Sequence, residues 1–156
     1  MKTVSADVTS TEYAEGKIFK FESEDSINPD FLERFNYQGP RQWIRYSMPE
    51  FSAVCPFSGL PDYGLIVVDY VPKDWLVELK ALKYYYLSFR NVGIFQEAVT
   101  SRIFQDLNKL LQPEVLIVRT VYNTRGGIDT TCIIRSEDQE SLREKTPPFH
   151  TSKENL

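Results

Sequence analysis

Tyr63-Gly64-Leu65-Ile66-Val67-Val68-Asp69-Tyr70-Val71 reads as a strand by composition, because β-branched and aromatic side chains favour extended backbone. Its unbroken aliphatic run, residues 65–68, lacks the alternation of a strand with one wet face. Such a strand is covered on both faces, or by helices on one and a neighbouring subunit on the other. Upstream, residues 17–21 and 41–48 are further strand candidates, and Pro49 is expected to end the second. Residues 22–40, acidic and punctuated by Pro29 and Gly39-Pro40, read as a connecting loop. Downstream, Leu82, Tyr85, Tyr86 and Phe89 recur at helical spacing, as do Phe95, Val99, Ile103, Leu107 and Leu110. They predict helices over 81–90 and 94–111, meeting near Gly93, with Pro113 stopping the second. Residues 115–122 and 128–135 are then strands joined through Asn123-Thr124-Arg125-Gly126-Gly127. The order strand, strand, helix, helix, strand, strand predicts an α+β domain in which an antiparallel sheet is backed by two helices.

The 156-residue chain is long enough for one domain with a real core and too short for two of ordinary size. We read residues 1–16 as a polar N-terminal extension, 17–135 as the domain, and 136–156, with Pro147-Pro148, as a polar tail. A net charge of −4 argues against bulk electrostatic binding to nucleic acid or to an anionic membrane. Residues 1–10 carry no apolar stretch like a signal peptide, and the longest aliphatic run is far short of a membrane span, so a cytosolic protein is expected. Cys55 and Cys132 show no CxxC spacing and are expected to be reduced thiols. The single histidine, His150, falls in the tail, which leaves metal-free chemistry as the working assumption.

Three places carry possible chemistry. In Cys55-Pro56-Phe57-Ser58-Gly59-Leu60-Pro61-Asp62, two prolines and a glycine after the thiol constrain a loop that can present a thiol and a carboxyl to one pocket. A buried, inert cysteine is the plainer alternative. Lys80, Lys83 and Arg90 fall on one side of the first helix, away from the apolar stripe, and read either as a solvated face or as a seat for phosphate groups helped by Arg125. The chain has no GxGxxG, so a Rossmann-type cofactor site is unsupported. Glu97, in the first turns of the second helix, either serves the helix dipole or accepts two hydrogen bonds from a guanine-like ring. Cys132 and His150 read as a strand thiol and a tail residue.

Glu78-Leu79-Lys80-Ala81-Leu82-Lys83-Tyr84-Tyr85 resembles the signature of the QueF-type nitrile reductases, Glu-(Ser/Leu)-Lys-(Ser/Ala)-hydrophobic-Lys followed by two aromatic or similar residues. Phe51-Ser52-Ala53-Val54-Cys55-Pro56 through Pro61-Asp62 resembles the family's nucleophile loop, and the likeness continues through Ser88-Phe89-Arg90-Asn91, Phe95, Glu97 and Arg125-Gly126-Gly127. The resemblance implies a tunnelling fold (T-fold), in which subunits join sheets into a barrel and assemble as a homo-oligomer with active sites at subunit interfaces. It implies NADPH-dependent reduction of 7-cyano-7-deazaguanine to 7-aminomethyl-7-deazaguanine, a step of queuosine biosynthesis acting on a free deazapurine, with no direct nucleic-acid or membrane partner. By the same resemblance Cys55 would attack the nitrile carbon to give a thioimide, and Asp62 would donate a proton. Val77, Glu78, Leu79, Gln96 and Glu97 would line the substrate pocket, and Lys80, Lys83 and Arg125 would hold NADPH. The sequence departs from the family at Gln96, where histidine is usual, and at Val92, where histidine is frequent. Two other readings stay open: an archaeal-type amidine-forming enzyme on the same nitrile, against which the intact motif of residues 78–85 and Arg125 argue, and a non-catalytic T-fold ligand-binding assembly, against which Cys55, Asp62 and Glu97 together argue.

Overall fold

The computed structural model of the protein describes residues 10–14 and 17–139. The remainder of the two polar ends, with Pro147, Pro148 and His150, lies outside the described residues. In chain order the strands and helices are β1 (Ser10–Ala14), β2 (Lys17–Lys20), β3 (Arg34–Asn36), β4 (Ile44–Val54), β5 (Pro61–Val71), β6 (Trp75–Val77), α1 (Leu79–Leu87), α2 (Gln96–Leu111), β7 (Val115–Tyr122) and β8 (Thr131–Arg135). The main sheet runs β4-β5-β7-β8, antiparallel throughout, with both helices on one face. The predicted α+β architecture is the observed one.

Side-chain alternation fixes which residues meet the helices. Phe51, Ile66, Val68, Tyr70, Leu116 and Val118 face Leu82, Tyr85, Phe89, Val99, Ile103 and Leu107 in a single buried cluster. Rings interlock edge to face within it, Phe51 against Phe89 at 5.4 Å and Tyr85 against Phe89 at 5.3 Å. The buried hydroxyls of Thr100 on α2 and Thr120 on β7 satisfy each other at 2.6 Å. Opposite residues of β5, β7 and β8, among them Leu65, Val67, Ile117, Val121 and Ile133, point to the face away from both helices, where Ile133 is 44% exposed.

Four expectations are amended. The N-terminal extension contains a strand, because residues 10–14 pair with 17–20 as a hairpin. Residues 22–40 are more than a connection: Ile27 and Leu32 are buried, and β3 pairs with β6. Pro49 does not end β4. The register slips by one residue between Met48 and Phe51, and that bulge on an edge strand absorbs a residue that cannot donate to a ladder. The first helix is shifted toward the N-terminus, starting at Leu79 because the Glu78 carboxylate accepts the N–H groups of Lys80 (3.1 Å) and Ala81 (2.7 Å). At the far end of α2, Gln112 adopts left-handed backbone and Pro113 follows, as a terminated helix requires.

Candidate active site

Residues 55–60 connect β4 to β5 as a tight loop. Its closure comes from Cys55 N–H donating to the Leu60 carbonyl (2.9 Å) and Gly59 N–H to the Cys55 carbonyl (2.8 Å), with Gly59 at φ 68°. The loop therefore holds the half-buried Cys55 beside the first residues of β5. Asp62 pairs with Ala53 in the ladder, so its side chain points to the helix-covered face, where it is 4% exposed.

A third element closes the group. Between β7 and β8, Arg125 and Ile128 bond to each other's backbone around Gly126 (φ 56°) and Gly127 (φ 81°), the positive angles of a type I′ turn. The Arg125 guanidinium returns from this turn to pair with the Asp62 carboxylate and lies 3.4 Å from the Ser58 hydroxyl. From the start of α2, the Gln96 side chain also faces Asp62 and favours its charged form.

These contacts bias two protonation states in opposite directions. Burial by itself would raise the Cys55 thiol, but hydrogen bonds from the Ser58 hydroxyl, the Ser58 and Phe57 backbone and the Arg125 guanidinium outweigh it, leaving the thiol below its ordinary range. For Asp62 burial wins: it lifts the carboxyl above the usual aspartate range although Arg125 and Gln96 pull it down. A thiol eased toward thiolate and an acid that resists ionising, both reached by Arg125, can supply a nucleophile and a proton donor to one electrophile.

Further residues join this end of the sheet. Tyr122, opposite Gly64, is buried, and its hydroxyl has no hydrogen-bond partner among the described residues. Burial first, then the charges of Asp62, Cys132 and Glu97, hold its proton on. Glu97 is exposed on the first turn of α2, and Cys132 opposite Thr120 is raised by burial and by Glu97. Sequence reasoning did not single out Ser58 or Tyr122. The loop position of Ser58 was a usable signal, whereas nothing local marks Tyr122.

The other residues singled out from the sequence lie elsewhere. Val77 is buried in the core at the end of β6, so only its backbone is available to a ligand. Glu78 caps α1, and Leu79, Lys80 and Lys83 are exposed on it. This group sits at the opposite end of the molecule. Gln96, beside Asp62, begins α2, while near its other end the Leu110 carbonyl accepts from Arg34, whose ladder partner is Val77. The 16 residues of α2 separate the two ends by about 24 Å.

Fold and site together define an α+β protein that gathers a loop thiol, a buried carboxyl and a guanidinium at one end of an antiparallel sheet. Residues 61–141 match the family model described as QueF-like protein. The NADPH-dependent 7-cyano-7-deazaguanine reductase of Thermotoga maritima is 53% identical over 119 residues, covering 76% of this chain and 87% of that protein. The enzymes of the same name from Chloroherpeton thalassium and Chlorobaculum tepidum are 48% and 46% identical, covering 67% and 69% of this chain and 92% and 94% of theirs. Among solved structures, the archaeosine synthase QueF-Like in the apo form matches with a TM-score of 0.59 at 19% identity, over 64% of this chain and 96% of that one, a likeness of fold alone. The chain belongs to the QueF-like family.

Proposed function

We propose that this chain reduces the nitrile of 7-cyano-7-deazaguanine to the aminomethyl group, with NADPH as the hydride source, as its relatives' names state for them. The observation that carries the reading is one guanidinium, Arg125, that pairs with Asp62 and reaches Ser58 of the Cys55 loop, with the thiol biased toward thiolate and the carboxyl toward acid, in a chain so similar to reductases along most of their length. The structural neighbour that makes archaeosine is too distant in sequence to favour the amidine-forming alternative.

A nitrile is a poor hydride acceptor. The Cys55 sulfur would form a bond to the nitrile carbon while Asp62 gives its proton to the nitrogen, producing a neutral thioimide. When bound, NADPH supplies hydride to that carbon. With one further proton on nitrogen, the carbon then holds hydrogen, amine and sulfur. Departure of the Cys55 thiolate leaves an imine, and a second hydride and proton complete the amine. Desolvation of Asp62 suits it to keep the first proton until the thiolate attacks.

Lys80 and Lys83 would hold the cofactor's phosphates. They are exposed and three residues apart on α1, and Glu78 already occupies the N–H groups that open the helix, so charge recognition falls to the lysine side chains. The Arg125 side chain, 42% exposed, has an edge open to the same ligand. Gln96, Glu97 and the segment 77–79 would bind the deazapurine, Glu97 accepting from its guanine-like N–H groups.

The two ends of the molecule cannot serve one small substrate within a single copy. This separation supports the T-fold that the resemblance implies: sheets of neighbouring copies would join at the open edges of β4 and β8 into a barrel, whose interior would be the face bearing Leu65, Val67 and Ile117, and each active site would combine the Cys55 end of one copy with the Glu78 end of another. Residues 17–135 form the domain that does this. Among the described residues no helix is long and apolar enough to cross a membrane. A free base as substrate and the net negative charge support a cytoplasmic enzyme without nucleic-acid contact.

Purified protein mixed with NADPH and 7-cyano-7-deazaguanine should consume two equivalents of NADPH per molecule of amine, followed by absorbance and product mass. Cys55→Ala and Asp62→Asn should each abolish reduction. An amidine product, or substrate binding without NADPH loss, would reject the reductase.

A further inference from the structure

Arg125 touches more of the reacting group than a cofactor contact would need. Its guanidinium pairs with the buried Asp62 carboxylate and lies 3.4 Å from the Ser58 hydroxyl in the loop that holds Cys55, close enough to favour ionisation of that thiol, so one side chain links the settings of both proposed reacting groups. The placement is built into the backbone: a two-glycine turn, closed by reciprocal bonds between Arg125 and Ile128, aims the side chain back at the start of β5. From the geometry we infer that Arg125 is a positioning residue for the reacting pair, holding the Asp62 carboxyl and the Cys55 loop in register before any cofactor arrives. This rests on the catalytic reading of Cys55 and Asp62 given above.

The other groups around the pair make this a specific role. Toward Cys55 the loop offers only neutral donors, the Ser58 hydroxyl and the Ser58 and Phe57 backbone, so Arg125 is the cation acting on the thiol. Toward Asp62 come Arg125 from the β7–β8 turn, neutral Gln96 from α2 and the Tyr122 hydroxyl from β7, with Glu97 and Cys132 beyond the tyrosine. Loss of the guanidinium removes a stabilising partner from both anions. Cys55 and Asp62 should then each ionise only at higher pH.

The test reads the thiol directly, without turnover. Iodoacetamide alkylation of Cys55, followed by peptide mass spectrometry across pH in the absence of NADPH and nitrile, reports the thiolate fraction whether or not the chain is a reductase. In Arg125→Gln the alkylation profile should move to higher pH, with a rate near neutrality lower by about tenfold, the effect of one pH unit. Arg125→Lys should recover part of the shift, since the charge returns without the fork. Matching melting curves would establish that both variants are folded. In turnover, the pH profile of kcat/KM should move upward as a whole, and kcat should fall even at saturating NADPH. An alkylation profile identical to that of the natural chain, or a defect confined to the KM for NADPH, would overturn the inference and leave Arg125 to the cofactor alone. A shifted alkylation profile in a protein that reduces no nitrile would instead reject the proposed function.

Discussion

The resemblance to the family would put histidine where Gln96 stands, and from the first residue of α2 the Gln96 side chain favours the charged form of Asp62. If Asp62 is the proton donor, a residue unable to become cationic can serve at this position by orienting that acid. A neutral hydrogen bond of this kind contributes about 0.5–1.5 kcal/mol. Gln96→His should therefore change kcat/KM by less than about tenfold, the equivalent of roughly 1.4 kcal/mol in the barrier. A much larger gain in steady-state assays would mean that an imidazolium proton is what the reaction needs. The neighbouring residues differ in how well the sequence announced them. Cys55 and Asp62 flank one proline-bounded loop, so their closeness along the chain is legible from spacing. The pairing of Asp62 with Arg125 spans 63 positions and is set by which strands neighbour each other, which no local pattern encodes.

At the level of elements, the long periodic segments were readable and the short non-local ones were not. The stripes of α1 and α2 and the aliphatic run of β5 each bury enough apolar surface to dictate their own conformation. The three-residue strands β3 and β6 are held by a partner some forty residues away, and β4 survives Pro49 only because an edge strand can bulge. The β7–β8 connection lies between these cases. Its two glycines announced a turn, and no protein atom crowds them: a Cβ at either position would meet nothing of this chain within 4 Å. The requirement is conformational, from φ values of 56° and 81°. Gly127→Ala should accordingly destabilise the protein by about 1–2 kcal/mol in urea or thermal unfolding, and should slow turnover by loosening the seat of Arg125. Unchanged stability would show that this turn does not hold its left-handed geometry in solution.

For the whole molecule, the separation of the Cys55 end from the Glu78–Lys83 end is the feature with the largest consequence. About 24 Å of helix lies between them, more than one nucleobase can span, yet both carry the residues on which the proposed reaction depends. If each site is shared between copies, damage at one end of a subunit should leave its other end competent. Cys55→Ala removes the nucleophile, and a paired substitution of Glu78→Ala with Lys80→Ala removes part of the opposite end; each protein alone should be inactive. Subunits mixed in equal amounts, after dissociation and reassembly, should regain about a quarter of natural activity, because random pairing at a two-copy site unites two intact ends in that share of sites. Wild-type homo-oligomers should appear in size-exclusion chromatography with light scattering, and the mixture should show the same mass. No recovery despite proven subunit exchange, or full activity in a monodisperse monomer, would mean that one copy holds a complete site, and the barrel assembly proposed here would have to be abandoned.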